Sequence, residues 1–564
     1  MNYRQVYKSW LDDDFFDGET KEELLSIKDD DKEIEDRFYK NLDFGTAGLR
    51  GKLGAGTNRM NKYVVMRTSQ GLSDTILSEG KEAAMRGVAI SYDVRWYSKD
   101  FAELAARVLA SNGIKVYLSD DIRPTPLLSY AIRSLKAVSG IMVTASHNPK
   151  EYNGYKVYWE EGSQILEERA DQILANINKI DDYSKIKCEP LDGLIEKGLI
   201  EYFGREIDEK YFKDTLSLAI NEDIDKDIRI VYSPLNGTGN KYVREILKRR
   251  SFNKVYVVKE QEDPDPDFTT LSYPNPENPD AFEYSLRLGK KVKADILIAT
   301  DPDSDRFALE VFHEGEYVYL NGNEVGALLT NYILKGLSGK NLLRENDFVV
   351  KTIVTGDLSK KIAAKYDVEM IETLTGFKNI YAPANKYEKD GQKRYIFGYE
   401  ESIGYSYGTF VRDKDGVSTA MMVVEMTAYY KKIGKTLVDV LNDLYNEFGY
   451  HKDSLSSIFF EGIDGEEKIA RIMETFRKDT IKKIGGVKLS EVKDYYYDYE
   501  KYKTQRSNVL INYYEDGSWF ALRPSGTEPK IKLYIYSFSG DEVEADDKIK
   551  NIERATKEKI LSVE

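Results

Sequence analysis

The sequence predicts an α/β protein with three similar α/β domains, mixed and mostly parallel sheets, and a smaller C-terminal α+β domain, arranged around a central cleft. Two observations carry this prediction. Short β-branched runs alternate with helix-like stretches, and a set of three strand-like runs recurs three times along the chain. At roughly 150 residues per domain, 564 residues suffice for about four domains.

In each of the three sets, the third strand runs into a polar tip. The first set is GVAISYDVR (87–95), GIKVYLSDDIRPTP (113–126) and SGIMVTASHNP (139–149); the second is DIRIVYSPLNGTG (227–239), FNKVYVVKEQ (252–261) and KADILIATDPDSDR (293–306); the third is DFVVKTIVTGD (347–357), YDVEMIETLTG (366–376) and KRYIFGYEES (393–402). Ligands bind at the carboxyl ends of strands in such sheets, so these tips are the candidate site.

The remaining segments differ from this pattern. Residues 1–45 are highly charged and predicted helical, 435–500 carry helical patterns and then Tyr-rich sequence, and 508–538 alternate apolar and polar residues as a half-exposed strand pair would. The proline-rich stretch 263–280 is predicted to be a long loop inside the second domain. The predicted domains are 1–205, 206–318, 319–440 and 441–564.

Composition excludes several classes of function. The net charge of −15 argues against nucleic acid or an anionic membrane as the main partner. A single cysteine, Cys188, allows no intrachain disulfide, and three scattered histidines form no zinc motif. The N-terminus lacks the apolar core of a signal peptide, and the apolar runs are too short to span a membrane. We expect a soluble cytoplasmic protein.

The first polar tip, TASHNP (144–149), contains Ser146 directly after a strand that reads as buried. A serine there can act as a nucleophile or phosphate carrier, or can simply cap a turn. A Ser146–His147 hydrolase dyad is not expected, because adjacent side chains on an extended backbone point to opposite sides. His147 could still bond a phosphate or orient the loop.

The second tip, DPDSDR (301–306), contains three aspartates. Asp301, Asp303 and Asp305 alternate at the end of an apolar strand, and three carboxylates that close repel one another unless a cation lies among them. Oxygen ligands indicate Mg²⁺ or Ca²⁺ rather than zinc. An EF-hand is excluded, because Arg306 and Phe312 stand where it needs Gly and Glu. A solvated acidic turn is the alternative.

Two further tips carry groups suited to a phosphosugar. In GYEES (398–402), Glu400 and Ser402 could bond sugar hydroxyls. In RPSGTEP (523–529), an arginine fork, hydroxyls and exposed backbone N–H groups suit a phosphate dianion; these residues are Arg523, Ser525, Gly526 and Thr527. Lysines 378 and 414 lie on other loops and, taken singly, would be solvated. One such feature per domain suggests a single phosphosugar site.

Seven motifs in order give the chain a family resemblance over nearly its whole length. They are DFGTAGLRG (43–51), TASHNP with NGYK (153–156), DPDSDR, TGFK (375–378), GYEES, RDKDG (412–416) and RPSGTEP. With them the chain resembles the α-D-phosphohexomutases, and the FGTAGLRG form resembles the branch that acts on glucose and pentose phosphates.

The resemblance implies a role for each candidate residue. Ser146 would be the phosphoserine and, with Asp301, Asp303 and Asp305, would hold Mg²⁺. Thr375, Gly376, Glu400 and Ser402 would meet the sugar, with Lys414 at the adjoining basic position. Arg523, Ser525, Gly526 and Thr527 would hold the phosphate that does not react. Arg50, Arg306, His147 and Lys156 would line the transfer site, and the general base remains open among Lys156, Lys414 and His147.

The implied activity is reversible conversion of α-D-glucose 1-phosphate and glucose 6-phosphate, with glucose 1,6-bisphosphate as intermediate and activator. Several alternatives stay open. The same machinery could act on ribose 1-phosphate or mannose 1-phosphate, a Mg²⁺-dependent phosphatase would release inorganic phosphate, and a sugar-phosphate sensor would need a lost serine or aspartate. The expected partners are small sugar phosphates, with no nucleic acid or membrane, and the protein is expected to be a monomer or a weak homo-oligomer.

Overall fold

The computed structural model describes residues 2–46, 48–460, 463–525 and 530–563. The chain forms two compact units. Unit 1 comprises Met1–Leu320, Tyr381–Gly391 and Ile403–Lys432, and unit 2 comprises Asn321–Ile380, Gln392–Ser402 and Ile433–Glu564. None of the helices in the described ranges combines the length and apolar character that crossing a membrane requires.

The first part of unit 1 contains a six-stranded mixed sheet in the order β1-β5-β4-β2-β3-β6. Strands β4, β2, β3 and β6 are parallel, whereas β5 runs antiparallel to both β4 and β1. The elements are α1 (Tyr3–Asp12), α2 (Gly18–Ser26), α3 (Asp31–Phe38), β1 (Leu49–Lys52), α4 (Lys62–Ser78), α5 (Lys81–Arg86), β2 (Val88–Tyr92), α6 (Ser98–Ser111), β3 (Val116–Ser119), α7 (Thr125–Leu135), β4 (Ser139–Val143), β5 (Tyr152–Trp159), α8 (Glu167–Ile177), α9 (Leu191–Glu196) and β6 (Ile200–Phe203).

Burial explains why these strands form. Every residue of β2 and of β4 is buried, as expected for central strands of a sheet covered on both faces. The N-terminal segment is helical as predicted, and α1 begins with a reciprocal cap in which Asn2 and Gln5 bond each other's backbone N–H. An aromatic cluster that includes Trp10, Phe16 and Tyr63 joins these helices to the start of α4.

The second part of unit 1 repeats the plan with five strands in the order β11-β10-β9-β7-β8. Strands β9, β7 and β8 are parallel, and β10 returns antiparallel beside β9, as β5 does beside β4. The elements are α10 (Arg205–Leu216), β7 (Ile230–Ser233), α11 (Gly239–Arg249), β8 (Val255–Val257), α12 (Glu283–Val292), β9 (Ile296–Thr300), β10 (Phe307–His313) and β11 (Glu316–Leu320). As predicted, residues 263–280 form a long connection, with 3-10 turns at Lys259–Gln261 and Pro279–Phe282.

The third repeat follows in sequence and contributes to both units. In unit 2, β12 pairs in parallel with β13 and with β14. In unit 1, α16 lies against α11 and against β9 and β10. The elements are α13 (Gly322–Gly339), β12 (Asp347–Thr352), α14 (Leu358–Lys365), β13 (Glu369–Thr373), α15 (Phe377–Asp390), β14 (Arg394–Glu400), β15 (Gly404–Tyr407) and α16 (Gly416–Lys432).

The C-terminal part of unit 2 is α+β, as expected, with six strands in the order β16-β21-β20-β19-β18-β17 and antiparallel pairing throughout. The prediction of a strand pair over 508–538 was wrong, because this stretch forms three strands. The elements are α17 (Leu437–Phe448), β16 (Tyr450–Phe459), α18 (Ile463–Lys478), β17 (Lys483–Ile484), β18 (Val487–Asp494), β19 (Leu510–Tyr514), β20 (Trp519–Pro524), β21 (Lys530–Ser539) and α19 (Glu542–Leu561).

Candidate active site

The serine loop follows β4 in unit 1 and turns back at once into β5. Ser146 is buried and has a left-handed backbone, with φ of 53°. Its N–H donates to Thr144 Oγ1 at 2.8 Å. A left-handed serine costs free energy that the surrounding structure must offset, and such residues concentrate at functional sites.

The left-handed turn overturns one expectation from the sequence. Ser146 and His147 were expected to point to opposite sides, as on an extended strand. In the structure Ser146 Oγ lies 3.1 Å from His147 Nδ1. The prediction was wrong because the backbone at Ser146 is not extended. The two side chains therefore lie on the same side of the loop.

The aspartate loop follows β9, and its three carboxylates are buried rather than solvated. One oxygen from each of Asp301, Asp303 and Asp305 lies within 4.8 Å of the others. Ser146 Oγ donates to Asp301 Oδ2 at 2.8 Å, so the serine loop and the aspartate loop meet inside unit 1. Thr125 strengthens this junction by donating its hydroxyl to Asp303 Oδ2 at 2.8 Å.

Two lysines neutralise part of this negative charge. Lys156 Nζ, on β5, lies 2.8 Å from Asp303 Oδ2 and 3.6 Å from Asp305 Oδ2. Lys414 Nζ lies 3.3 Å from Asp305 Oδ2. Burial alone would raise the pKa of Asp303, but Lys156 holds that pKa below its usual range. For Asp301, burial and the neighbouring Asp303 raise the pKa well above its usual value.

The donor set fits a small hard cation. Neither Asp303 Oδ1 nor Asp305 Oδ1 has a hydrogen-bond partner among the residues that the structure describes. Buried carboxylate oxygens without partners are costly, and a cation removes that cost. Oxygen-only ligands suit Mg²⁺, which keeps other positions for water or phosphate. The three aspartates and Ser146 are the residues that would hold it.

Two arginines, Arg306 and Arg50, act electrostatically on His147, the residue next to the serine. Arg50 Nη1 donates to Asn148 Oδ1 at 3.1 Å, and Arg306 Nη1 donates to Glu277 Oε2 at 3.3 Å. Burial, followed by the charges of Arg306 and Arg50, lowers the pKa of His147 well below its ordinary value. This shift favours the neutral form of His147 and makes it a weaker base.

Unit 2 gathers the residues expected to meet the sugar. The Gly376 N–H donates to Glu400 Oε1 at 2.5 Å, which ties the loop after β13 to the end of β14. Gly376 has φ of 107°, a conformation that favours glycine. Thr375 belongs to the same loop, and its carbonyl accepts from Asn379 Nδ2 at 2.8 Å. Ser402 follows β14 by two residues and is partly exposed.

The expected phosphate-binding segment also belongs to unit 2. Arg523 lies near the end of β20, and the Ser525 N–H donates to the Lys530 carbonyl at 2.8 Å across the hairpin. Burial raises the pKa of Tyr534, Glu401 and Glu400 add to the rise, and Arg523 opposes it. Tyr534 therefore lies within electrostatic range of Glu400 and Glu401 in the sugar-binding segment and of Arg523 in the phosphate-binding segment. Gly526 and Thr527 lie outside the described residues.

Sequence reasoning missed several residues that support the site. Asp93 and Arg95 follow β2 and contact the serine loop: Asp93 Oδ2 accepts from Thr144 Oγ1, and Arg95 Nη2 donates to the Ser146 carbonyl. Tyr158 Oη donates to Asp413 Oδ2 at 2.7 Å, next to Lys414. The DVR tip (93–95) lies at the carboxyl end of a parallel strand, which is a signal for the site as a whole but not for the direction of the Arg95 side chain.

Comparison with known proteins identifies the family to which this architecture belongs. Models of the phosphoglucomutase/phosphomannomutase family match the chain in order: alpha/beta/alpha domain I at 41–184, domain II at 209–313, domain III at 321–448 and the C-terminal domain at 466–548. The fold has three α/β/α domains and a C-terminal domain, and a serine and three aspartates meet at its strand ends. These features are those of an α-D-phosphohexomutase. The chain belongs to the phosphoglucomutase/phosphomannomutase family.

Individual relatives agree with this assignment. A phosphoglucomutase of Staphylococcus epidermidis is 38% identical over 544 residues, covering 95% of this chain and 96% of the relative. Among solved structures, the parafusin (phosphoglucomutase) of Paramecium aligns with a TM-score of 0.69 at 20% identity, over 92% of this chain and 95% of that one. A family protein of Burkholderia thailandensis gives 0.67 at 18% identity, over 92% and 98%. The two structures support the fold alone.

Proposed function

We propose that the protein interconverts α-D-glucose 1-phosphate and glucose 6-phosphate, with Ser146 as the phosphoryl carrier. The observation that carries the proposal is the 2.8 Å hydrogen bond from Ser146 Oγ to Asp301 Oδ2, inside a buried cluster of carboxylates and positively charged side chains. The 38% identity to staphylococcal phosphoglucomutases supports glucose as the sugar.

The proposed reaction has two phosphoryl transfers. In the first, the bond from phosphorus to Ser146 Oγ breaks and a bond to the 6-oxygen of glucose 1-phosphate forms, giving glucose 1,6-bisphosphate. In the second, the 1-phosphoryl group moves to Ser146 and leaves glucose 6-phosphate. Such transfers depend on positioning and neutralisation of charge. Bound Mg²⁺ would supply electrostatic stabilisation of the phosphoryl oxygens.

Each transfer also moves one proton. In the first transfer the 6-hydroxyl of the sugar gives its proton to a base, and Ser146 Oγ takes up a proton as it loses the phosphoryl group. In the second transfer the Ser146 hydroxyl gives its proton to the base, and the 1-oxygen of the sugar takes up a proton. His147 Nδ1 lies 3.1 Å from Ser146 Oγ and is a candidate for this role, alongside Lys156 and Lys414. Arg306 and Arg50 would neutralise the transferring group.

For recognition of the sugar we propose Thr375, Gly376, Glu400 and Ser402. For the phosphate that does not react we propose the residues of the 523–527 segment, namely Arg523, Ser525, Gly526 and Thr527. We further propose the domain limits 1–205, 206–318, 319–440 and 441–564, action in the cytoplasm, and a monomeric or weakly associated state. A net charge of −15 and a single cysteine support the last two points.

The test is a mutase assay of the purified protein with Mg²⁺ and a trace of glucose 1,6-bisphosphate. Glucose 1-phosphate, mannose 1-phosphate and ribose 1-phosphate are offered in parallel, and both isomerisation and inorganic phosphate are recorded. We expect isomerisation of the glucose substrate to be fastest, with little phosphate released. Release of phosphate without isomerisation would mean that the site belongs to a hydrolase.

Replacing Ser146 by Ala tests the carrier itself. Ser146→Ala should abolish turnover and the phosphoryl mass gained on incubation with the bisphosphate. The matched control is Ser139→Ala, which removes a buried hydroxyl of β4 that donates to the Tyr158 carbonyl at 2.7 Å. Ser139→Ala should lose about 1 kcal/mol of stability but keep its turnover. Near-full activity of Ser146→Ala would disprove the carrier assignment.

A further inference from the structure

The serine loop has an unusual shape that its own bonds do not explain. Ser146 is left-handed, a conformation that costs about 1–3 kcal/mol when the surroundings do not enforce it. Within the loop, the Asn148 N–H donates to the Ala145 carbonyl at 3.1 Å and the Ser146 N–H donates to Thr144 Oγ1 at 2.8 Å. The remaining restraint comes from residues outside the loop.

Arg95 supplies most of that restraint. Its Nη2 donates to the carbonyls of Ser146 at 2.6 Å and Asn148 at 2.5 Å. Its Nη1 donates to the carbonyls of Pro149 at 2.9 Å and Tyr152 at 3.1 Å. A single planar guanidinium thus bonds four backbone oxygens along the loop, from the serine itself to the start of β5. Because the fork is rigid, these bonds fix the relative positions of those peptides.

Arg95 is itself fixed. Its side chain is fully buried, and its Nε lies 3.3 Å from Asp93 Oδ2. On another side its guanidinium carbon lies 5.0 Å from the centre of the Phe268 ring. A buried arginine with an ion pair, an aromatic neighbour and four carbonyl acceptors has little freedom to move.

Asp93 extends the same support to the other end of the loop. Its Oδ2 accepts from Thr144 Oγ1 at 2.6 Å, and Thr144 Oγ1 accepts from the Ser146 N–H at 2.8 Å. The tip of β2 therefore controls both the N–H and the carbonyl of Ser146. The direction of the Ser146 side chain follows from these two backbone bonds.

We propose that Arg95 is a positioning residue for phosphoryl transfer, which keeps Ser146 Oγ directed at Asp301 throughout the cycle. The inference rests on the proposed function of Ser146 as carrier. Arg95 acts through the backbone of the loop, so its loss should slow both transfers without weakening the binding of the sugar phosphate. A loosened phosphoserine should also be more open to water.

The experiment compares Arg95→Met and Arg95→Lys with Arg250→Met. Arg250 is a matched control because it is also a buried arginine of unit 1, where it bonds Glu425 Oε2 at 2.7 Å and the Asn221 carbonyl at 3.0 Å. For each variant, kcat and KM for glucose 1-phosphate, phosphate released per turnover, phosphoryl content after incubation with the bisphosphate, and Tm are measured.

We expect Arg95→Met to lower kcat about 100-fold, the size expected for a reacting group misplaced by about 1 Å. Its KM should stay within about threefold of wild type, because uniform binding is untouched. Phosphate release per turnover should rise. Arg95→Lys should recover part of kcat, since an ammonium can reach some of the four carbonyls. Arg250→Met should lose stability yet keep kcat and the low phosphate release.

Several outcomes would overturn the inference. If Arg95→Met lowers Tm but keeps kcat, Arg95 serves stability only. If KM rises and kcat holds, its effect is on binding. Should Arg95→Met fail to fold, Arg95→Lys becomes the test, because it keeps the charge but loses the fork that bonds the four carbonyls. An unchanged kcat in Arg95→Lys would refute positioning by the guanidinium. A wild type without mutase activity or phosphoserine would instead refute the proposed function.

Discussion

Replacing Lys156 by Met tests the charge balance of the aspartate cluster. Lys156 Nζ lies 2.8 Å from Asp303 Oδ2, and both side chains are almost completely buried. Removal of one partner of a buried ion pair costs about 3–5 kcal/mol, because the other charge is left uncompensated. Thr125 still donates to Asp303 and Lys414 still pairs with Asp305, so we expect the lower end, about 3 kcal/mol.

The assay is thermal unfolding in EDTA, followed by titration with Mg²⁺. At roughly 2 °C per kcal/mol for a large unit, Lys156→Met should lower Tm by about 6 °C. The control is Lys431→Met, since Lys431 is partly exposed, pairs with Asp295 at 2.9 Å and should contribute only about 0–1 kcal/mol.

Magnesium should reverse part of the loss. Without the ammonium, the cluster is one charge more negative, so Lys156→Met should bind Mg²⁺ at least about tenfold more tightly than wild type. Saturation at 100 times the Kd adds about 2.7 kcal/mol to either protein, but the variant reaches saturation at lower concentration. Equal melting in EDTA, or equal Mg²⁺ affinity by calorimetry, would show that Lys156 is not the counter-charge.

Two further predictions concern buried charges outside this cluster. Burial raises the pKa of Glu310 from 4.5 to about 7. Between these two pH values the folded state holds a proton that the unfolded state releases, so wild-type stability falls as pH rises from about 4.5 to 7. Glu310→Gln should therefore gain up to about 3 kcal/mol relative to wild type above pH 7 and nothing at pH 4.5; a difference independent of pH in urea unfolding would contradict this. In unit 2, Lys351→Met should cost about 3 kcal/mol, because buried Lys351 pairs with Asp357 at 2.9 Å and Glu372 at 3.1 Å, whereas exposed Lys360→Met should cost under about 1 kcal/mol by calorimetry.

The sequence predicted the fold class because the strands carry their own signal. Buried β-branched runs such as Ile296–Thr300 identify parallel strands without knowledge of their neighbours, and repetition in sets of three identifies the domains. The same logic failed for 508–538. The three strands have five, six and ten residues, most of them buried, and only pairing across the sheet distinguishes them from two longer strands.

Candidate residues were predictable where the local motif is itself unusual, as for Asp301, Asp303 and Asp305. Supporting residues were not, because their role depends on contacts between distant segments. Arg95 donates to the Tyr152 carbonyl, which is 57 residues away in the sequence, and Thr125 donates to Asp303, which is 178 residues away. Nothing in the DVR tripeptide indicates that its arginine turns toward backbone carbonyls rather than toward solvent.

The three repeats share a backbone feature at the polar tip that follows the third strand. After the third strand of each set comes a left-handed residue that is not glycine: Ser146 with φ of 53°, Ser304 with 52° and Ile403 with 54°. A non-glycine residue in this conformation is uncommon and requires support from its surroundings. In the first two repeats, both in unit 1, this residue lies between a buried strand and the antiparallel strand that follows it, β5 after β4 and β10 after β9. The serine loop and the aspartate loop therefore share a left-handed serine at the point where the chain returns, and the side chains on either side of that serine distinguish the two loops.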